Sequence, residues 1–385
     1  MPPEQDVTST PAGTRPVHVL ALGGDGIGPE VTAQALRVLR HVVAEDGLLV
    51  TVEEGLFGLA AWRAHGTLLS AAMQEAEARA DAVLFGAVDS LGRKGIPEEE
   101  RRRGGLLAMR RRLGLFANLR PVRTDSALEE ASPYKARVLR GVDLVFVREL
   151  SGGVYFGEPR GVEPMPGGGR RGVNTHVYTE DQIVRAARFA FALARGRRGR
   201  LTSVDKANVM EAGALWRGIV TALHQDEFRD VALDHMLADT CALMLSRDPA
   251  RFDVILTDNL FGDVLSDAAG ALAGSLGMLP SASLSAPTVQ GRRRALYEPV
   301  HGSAPDIAGQ GVANPLAAIL SVALLLRWTA GAEASARRVE AAVAAALGAG
   351  ARTPDIALPG EATLGTAAMG DAVLRALERV PAETG

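Results

Sequence analysis

The sequence predicts an α/β protein with a mainly parallel sheet flanked by helices, and two observations carry that reading. Short apolar, β-prone runs alternate with longer segments of helical period, the pattern of strand–helix–strand units. The 385 residues are 47% hydrophobic, too apolar for a disordered chain and enough to bury a large core in about two to three domain-sized units.

Taken in order, residues 1–16 are expected to form a disordered leader. They mix prolines and glycines with Ser, Thr and two acids, and lack the positive start and apolar centre of a secretion signal. Strands are expected at 17–22, 49–53, 82–87, 142–148, 201–204 and 252–257. Helices are expected at 30–45, where Pro29 suits a first helical position, and at 179–195, 207–223 and 332–347. Two segments read as loops that could cover a cleft: 96–105, with its charge run, and 160–172, with Pro164, Pro166 and Gly167-Gly168-Gly169. No fixed-period repeat is evident. The longest apolar run, 315–326, is too short for a transmembrane helix and is interrupted by Ser321.

Charge narrows the function classes. With 42 basic against 45 acidic residues and a formal net charge of −3, no polyelectrolyte field exists to drive binding to nucleic acid or an anionic membrane. Small-molecule chemistry is the expectation. The single cysteine, Cys241, fits a reducing, cytoplasmic compartment and offers no zinc cluster. Only Lys94, Lys135 and Lys206 are lysines, so an arginine here carries little information by its presence and a lysine has to be explained.

After the first strand, Gly23-Gly24-Asp25-Gly26-Ile27-Gly28-Pro29-Glu30 approaches a dinucleotide fingerprint but fails it, because Pro29 stands where the third glycine belongs. A plain tight turn and a ligand loop both satisfy it. More informative is Thr257-Asp258-Asn259-Leu260-Phe261-Gly262-Asp263-Val264-Leu265-Ser266-Asp267, where a buried-type strand runs into a helix. The spacing of Asp263 and Asp267 stacks both carboxylates on one helical face. They would repel by about 3 kcal/mol at ~5 Å and an effective dielectric of ~20, so a positive partner is expected. Oxygen-only ligands suit Mg²⁺ or Mn²⁺; an exposed acidic face is the alternative.

Arg110, Arg120 and Arg148 each lie in or just after an apolar element, and Arg148 closes a strand of a parallel sheet, where ligands collect. A guanidinium there can grip a carboxylate with two hydrogen bonds, or simply form a surface ion pair. Tyr155 sits among glycines, and Lys206 at a strand end; each is a candidate proton-transfer group or an ordinary packed or solvated side chain. No Walker phosphate loop, His-Glu-x-x-His helix or nucleophile elbow is present.

Together these segments resemble the isocitrate/isopropylmalate β-decarboxylating dehydrogenase family, from about residue 17 to near 377. The most specific stretches are Gly24-Asp25-Gly26-Ile27-Gly28-Pro29-Glu30-Val31, Leu115-Phe116-Ala117-Asn118-Leu119-Arg120-Pro121, Gly152-Gly153-Val154-Tyr155-Phe156-Gly157-Glu158-Pro159-Arg160, Val204-Asp205-Lys206-Ala207-Asn208-Val209, Asn259 to Asp267 and Glu298-Pro299-Val300-His301-Gly302-Ser303-Ala304-Pro305-Asp306.

The resemblance implies a two-domain fold that is not Rossmann. Residues 17–115 and 274–385 would form a cofactor-binding domain, and 116–273 a dimerisation and substrate/metal domain. The active site would lie in a cleft shared between the subunits of a homodimer. Asp263 and Asp267 would bind Mg²⁺ or Mn²⁺ with Asp239 from the partner chain, and Lys206 would likewise cross the interface. Arg110, Arg120 and Arg148 would hold a substrate carboxylate, with Asp239 also touching substrate. Formal charges of three Asp, a dianionic substrate, three Arg and a divalent ion then cancel. Lys206 would take the hydroxyl proton, and Tyr155 would protonate the carbon that loses CO₂. Asp306, facing the adenosine ribose, implies NAD⁺ over NADP⁺, with His301, Gly302, Ser303, Ala304 and Asn314 completing that site. Leu106 and Leu107 match the leucines that accept an isopropyl group. The implied activity is NAD-dependent oxidative decarboxylation of 3-isopropylmalate to 4-methyl-2-oxopentanoate in leucine biosynthesis, with no nucleic-acid or membrane partner.

The chain departs from the family at two places. Arg103 stands where a glutamate is usual, and Asp89-Ser90-Leu91-Gly92-Arg93 replaces a Gly- and Trp-containing loop. A paralogue acting on tartrate or another substituted malate is one alternative these leave open; a catalytically silent regulatory subunit is a second.

Overall fold

The computed structural model describes residues 16–89, 92, 94–288 and 291–380. The leader, apart from Pro16, and Ser90, Leu91 and Arg93 of the altered loop lie outside the described residues. The strands are β1 (Val17–Gly24), β2 (Val50–Gly55), β3 (Ala82–Ala87), β4 (Leu115–Arg123), β5 (Asp143–Glu149), β6 (Gly157–Pro164), β7 (Arg170–Thr175), β8 (Arg200–Asp205), β9 (Ala232–Leu237), β10 (Val254–Thr257), β11 (Pro280–Ser285) and β12 (Ala295–Pro299).

The chain forms two compact units. One comprises Phe116–Val122 and Val138–Ala269; the other comprises 16–115, Arg123–Arg137 and 270–380. In the first, strand order is β4-β5-β10-β8-β9, and β5, β10, β8 and β9 run parallel. Helices Glu180–Arg195, Glu211–Glu227, Ala238–Arg247 and Asn259–Ala269 accompany them. β10 is buried along its length, as a strand covered on both faces must be. Cys241, in the Ala238–Arg247 helix, is fully buried.

In the second unit the order is β2-β1-β3-β12-β11. β1 pairs in parallel with β2 and β3, and β3 with β12; β11 runs antiparallel to β12. The apolar run near 315–326 becomes the Leu316–Trp328 helix, buried nearly all round. Among the described residues no helix is long and apolar enough to cross a membrane. The Gly23–Pro29 turn serves the protein's own backbone. Asp25, buried, accepts hydrogen bonds from Leu59 N (2.6 Å) and Asp89 N (3.0 Å). Gly26, at φ +59°, approaches the Ser303 carbonyl so closely that an added Cβ would lie 1.9 Å from its oxygen.

Several elements differ from expectation. The charged 96–105 loop contains a helix, Glu98–Gly104, whose three glutamates begin it and three arginines end it, the arrangement that a helix dipole favours. Most of the expected 160–172 loop is the β6–β7 antiparallel hairpin; Gly167, Gly168 and Gly169, all at positive φ, make its turn. The expected 207–223 helix starts only at Glu211. Asp205 accepts from Ala207 N at 2.9 Å, a local side-chain turn that competes with helix. β4, β9, β11 and β12 lie outside the expected strands. β11 carries its serines in a buried strand, with Ser281 Oγ bonded to the Glu298 carbonyl at 2.9 Å, so the apolar signal is missing.

Candidate active site

The Asn259–Ala269 helix follows β10 and sits beside the end of β5, where Arg148 pairs in register with Thr257. Its i, i+4 geometry puts Asp263 and Asp267 on one face, and the positive partner that their repulsion demands is arginine. Arg120 donates from Nη1 to Asp267 Oδ1 (2.6 Å) and from Nη2 to Asp263 Oδ1 (3.1 Å). The same guanidinium is steadied by Ser266 Oγ (2.8 Å) and Asn118 Oδ1 (2.8 Å). Arg148 Nη1 donates to Asp263 as well. Tyr155 completes the cluster: its hydroxyl donates to Asp263 Oδ2 at 2.8 Å, and its ring lies under the Arg148 guanidinium, 5.5 Å from Cζ.

Electrostatics sharpen the roles. Burial, and next the hydrogen bond to Asp263, push the Tyr155 phenol above its ordinary value, so it stays protonated at neutral pH. Burial chiefly raises Asp267, with the neighbouring Asp263 charge adding to the shift against the opposing pull of Arg120. The two arginine side chains are buried, whereas Asp263 and Asp267 are 31% and 48% exposed. The two carboxylates are therefore partly exposed oxygen ligands, the type a hard divalent cation takes. Among the described residues no group of three or more His, Cys, Asp or Glu is gathered as a metal site. Asp239 instead pairs with Lys206, whose ammonium pulls that exposed carboxyl below its usual range.

The remaining candidates lie in the other unit. Within that unit Arg110 donates to Glu298 Oε1 at 2.5 Å, both side chains being largely buried. Leu106 is half-buried, Leu107 exposed and Arg103 exposed. His301 bonds the Gly302 carbonyl through Nδ1 (2.9 Å) while its buried Nε2 lacks a hydrogen-bond partner among the described residues; burial holds the ring below its ordinary pKa. Ser303 is buried, Ala304 takes a positive φ of 38°, and Gly302 and Asp306 are exposed. The Asn314 side chain is committed internally: it accepts from Leu316 N (3.0 Å) at the start of the Leu316–Trp328 helix and donates to Asp355 (3.1 Å).

Sequence reasoning assigned no role to Glu149. It follows Arg148, is fully buried, and receives the Ser151 and Gly152 N–H groups at 2.8 Å each, fixing the turn that leads to Tyr155. A charged residue closing an apolar strand was its only signal.

Parallel-sheet units with an arginine–carboxylate–phenol cluster beside the ends of β5 and β10 define the class: an α/β enzyme for a small anionic substrate. A profile of the isocitrate/isopropylmalate dehydrogenase family matches residues 18–373, and the chain belongs to that family. It is 52% identical over 364 residues to 3-isopropylmalate dehydrogenase 1 of Bradyrhizobium diazoefficiens, covering 94% of this chain and 96% of that one. With the 3-isopropylmalate dehydrogenase of Symbiobacterium thermophilum it shares 55% over 358 residues, 92% and 97% of the two chains. Among solved structures, isocitrate dehydrogenase from Methylococcus capsulatus superposes with a TM-score of 0.80 at 31% identity, covering 94% of this chain and 99% of that one.

Proposed function

We propose that the chain catalyses the NAD⁺-dependent oxidative decarboxylation of 3-isopropylmalate to 4-methyl-2-oxopentanoate and CO₂, a cytoplasmic step of leucine biosynthesis. The observation that carries this reading is identity above 50% with relatives of that activity over more than nine-tenths of both chains.

Arg120 and Arg148 hold a substrate carboxylate, with Arg110 as a further substrate-binding residue and Leu106 and Leu107 receiving the isopropyl group. Lys206 takes the C2 hydroxyl proton as C2 gives up its hydride. The C3–carboxylate bond of the resulting β-keto acid then breaks, CO₂ leaves, and Tyr155, kept protonated by burial and by Asp263, supplies the proton to C3. Asp263, Asp267 and Asp239 of the partner subunit would hold Mg²⁺ or Mn²⁺, which when bound supplies Lewis-acid polarisation of the substrate oxygens. Asp306 accepts from the adenosine ribose of NAD⁺, beside His301, Gly302, Ser303, Ala304 and Asn314. The chain works as a homodimer in which Lys206 and Asp239, paired with each other, serve the partner's site. Exposed apolar Val209, Leu243 and Val264 in the unit that carries them support such an interface.

Turnover assays with Mn²⁺ and NAD⁺ test the reading. 3-Isopropylmalate should exceed isocitrate, homoisocitrate, tartrate and malate in kcat/KM by about 10- to 200-fold, the range an apolar pocket achieves. Preference for another of these acids would replace the substrate assignment, and no turnover of any would favour a silent subunit. The exposed Arg103 supports a second reading, a paralogue that accepts an additional carboxylate, which the same assay separates.

A further inference from the structure

We propose that Asn259 is a positioning residue that aims the Arg148 guanidinium at Asp263 and the substrate carboxylate; the substrate half of this statement rests on the function proposed above. Asn259 is only 2% exposed and opens the helix that carries Asp263 and Asp267. Its carboxamide offers two donors and two lone pairs, and all four are used. Nδ2 donates to the Leu150 carbonyl (3.2 Å) and the Gly152 carbonyl (3.1 Å). Oδ1 accepts from Arg148 Nε (3.0 Å) and Nη2 (2.7 Å).

This pattern fixes which way the amide faces. Backbone carbonyls only accept, and a guanidinium only donates, so neither end of the carboxamide can be reversed. The Nε/Nη2 edge of Arg148 is thereby turned toward Asn259, and Nη1 is directed to Asp263. Asn259 is itself anchored, since its backbone N–H donates to the Tyr178 hydroxyl at 2.8 Å. Gly262 leaves room for the arginine stem: a Cβ there would lie 2.6 Å from Arg148 Cγ.

Neutrality is the second half of the inference. A carboxylate in place of the amide would orient the guanidinium and also cancel its charge, whereas a carboxamide orients it and leaves the positive charge for the anions on its other side. The chain spends a neutral group on the edge of Arg148 that faces the protein.

The test uses the full-length protein with two variants. Asn259→Leu keeps the volume and removes the acceptor; Asn259→Ser keeps a small hydroxyl acceptor and serves if leucine does not fold. A crystal structure of the folded variant should show the Arg148 guanidinium turned away from its wild-type position. Steady-state kinetics should show KM for 3-isopropylmalate raised about 10- to 100-fold in the leucine variant, the range of one charge-assisted hydrogen bond, with less in the serine variant and KM for NAD⁺ within about 2-fold. An unmoved Arg148 guanidinium would overturn the proposal, as would a rise of both KM values together, the mark of general loosening. Failure of the wild-type enzyme to turn over any 2-hydroxy acid would overturn the function instead, and the crystal structure would still decide the position of Arg148.

Discussion

Half-buried Tyr155 and fully buried Glu149 illustrate two uses of an acid beside one strand end. Tyr155 keeps its proton because burial and Asp263 disfavour the phenolate. Tyr155→Phe should lower kcat by about 10²-fold or more, the scale of a general acid, with KM for 3-isopropylmalate little changed; kcat within a few-fold of wild type would exclude the phenol from proton transfer. Glu149 is raised chiefly by burial. For an acid with a folded-state pKa above its unfolded value, the native state binds more protons in the intervening window, so its stability falls as pH rises through that window, upward from about 4.3. Thermal melts of wild type and Glu149→Gln should therefore diverge in the variant's favour from pH 4 to pH 7, and a constant difference would remove the assignment. The Asp263–Asp267 pair was legible in the sequence because i, i+4 spacing fixes a face. Asn259 was not, because an asparagine between a strand and a helix is as common in plain turns. Nor was the Arg110–Glu298 pair, hidden among 39 arginines.

At the level of elements, the parallel strands were readable where Val, Leu and Phe fill both faces, as in β3 and β5. Serine-bearing β11 escaped because hydrogen bonding, not hydrophobicity, settles its polar side chains. The Glu98–Gly104 helix escaped because its sequence carries charge order rather than an apolar period. Long-range polar anchors are likewise silent in a linear pattern. Arg338, buried in the Glu333–Gly348 helix, bonds Asp46 Oδ1 (2.7 Å), Glu45 and the carbonyls of Leu377 (3.1 Å) and Val380 (3.0 Å). Arg338→Ala should destabilise the protein by about 3 kcal/mol, since it strands buried acceptors and a carboxylate. Urea unfolding checks this, and a loss under 1 kcal/mol would show that water replaces the guanidinium.

For the whole molecule, the shared active sites proposed above make a quantitative prediction. Lys206→Ala and Tyr155→Phe homodimers should each be nearly inactive. Unfolded and refolded together in equal amounts, they should regain about one quarter of wild-type activity, because half the dimers are mixed and each has one intact site. No recovery despite demonstrated mixed dimers would place both residues in the same chain's site. The chain also has an unusual quietness toward thiol reagents. Its lone sulfhydryl, Cys241, is fully enclosed, and burial pushes its pKa up to about 12, so the nucleophilic thiolate is nearly absent at physiological pH. A cysteine introduced at any chosen surface position would then be the sole place for a maleimide dye or spin label to attach, and distances within the working enzyme could be followed without first stripping the native residue.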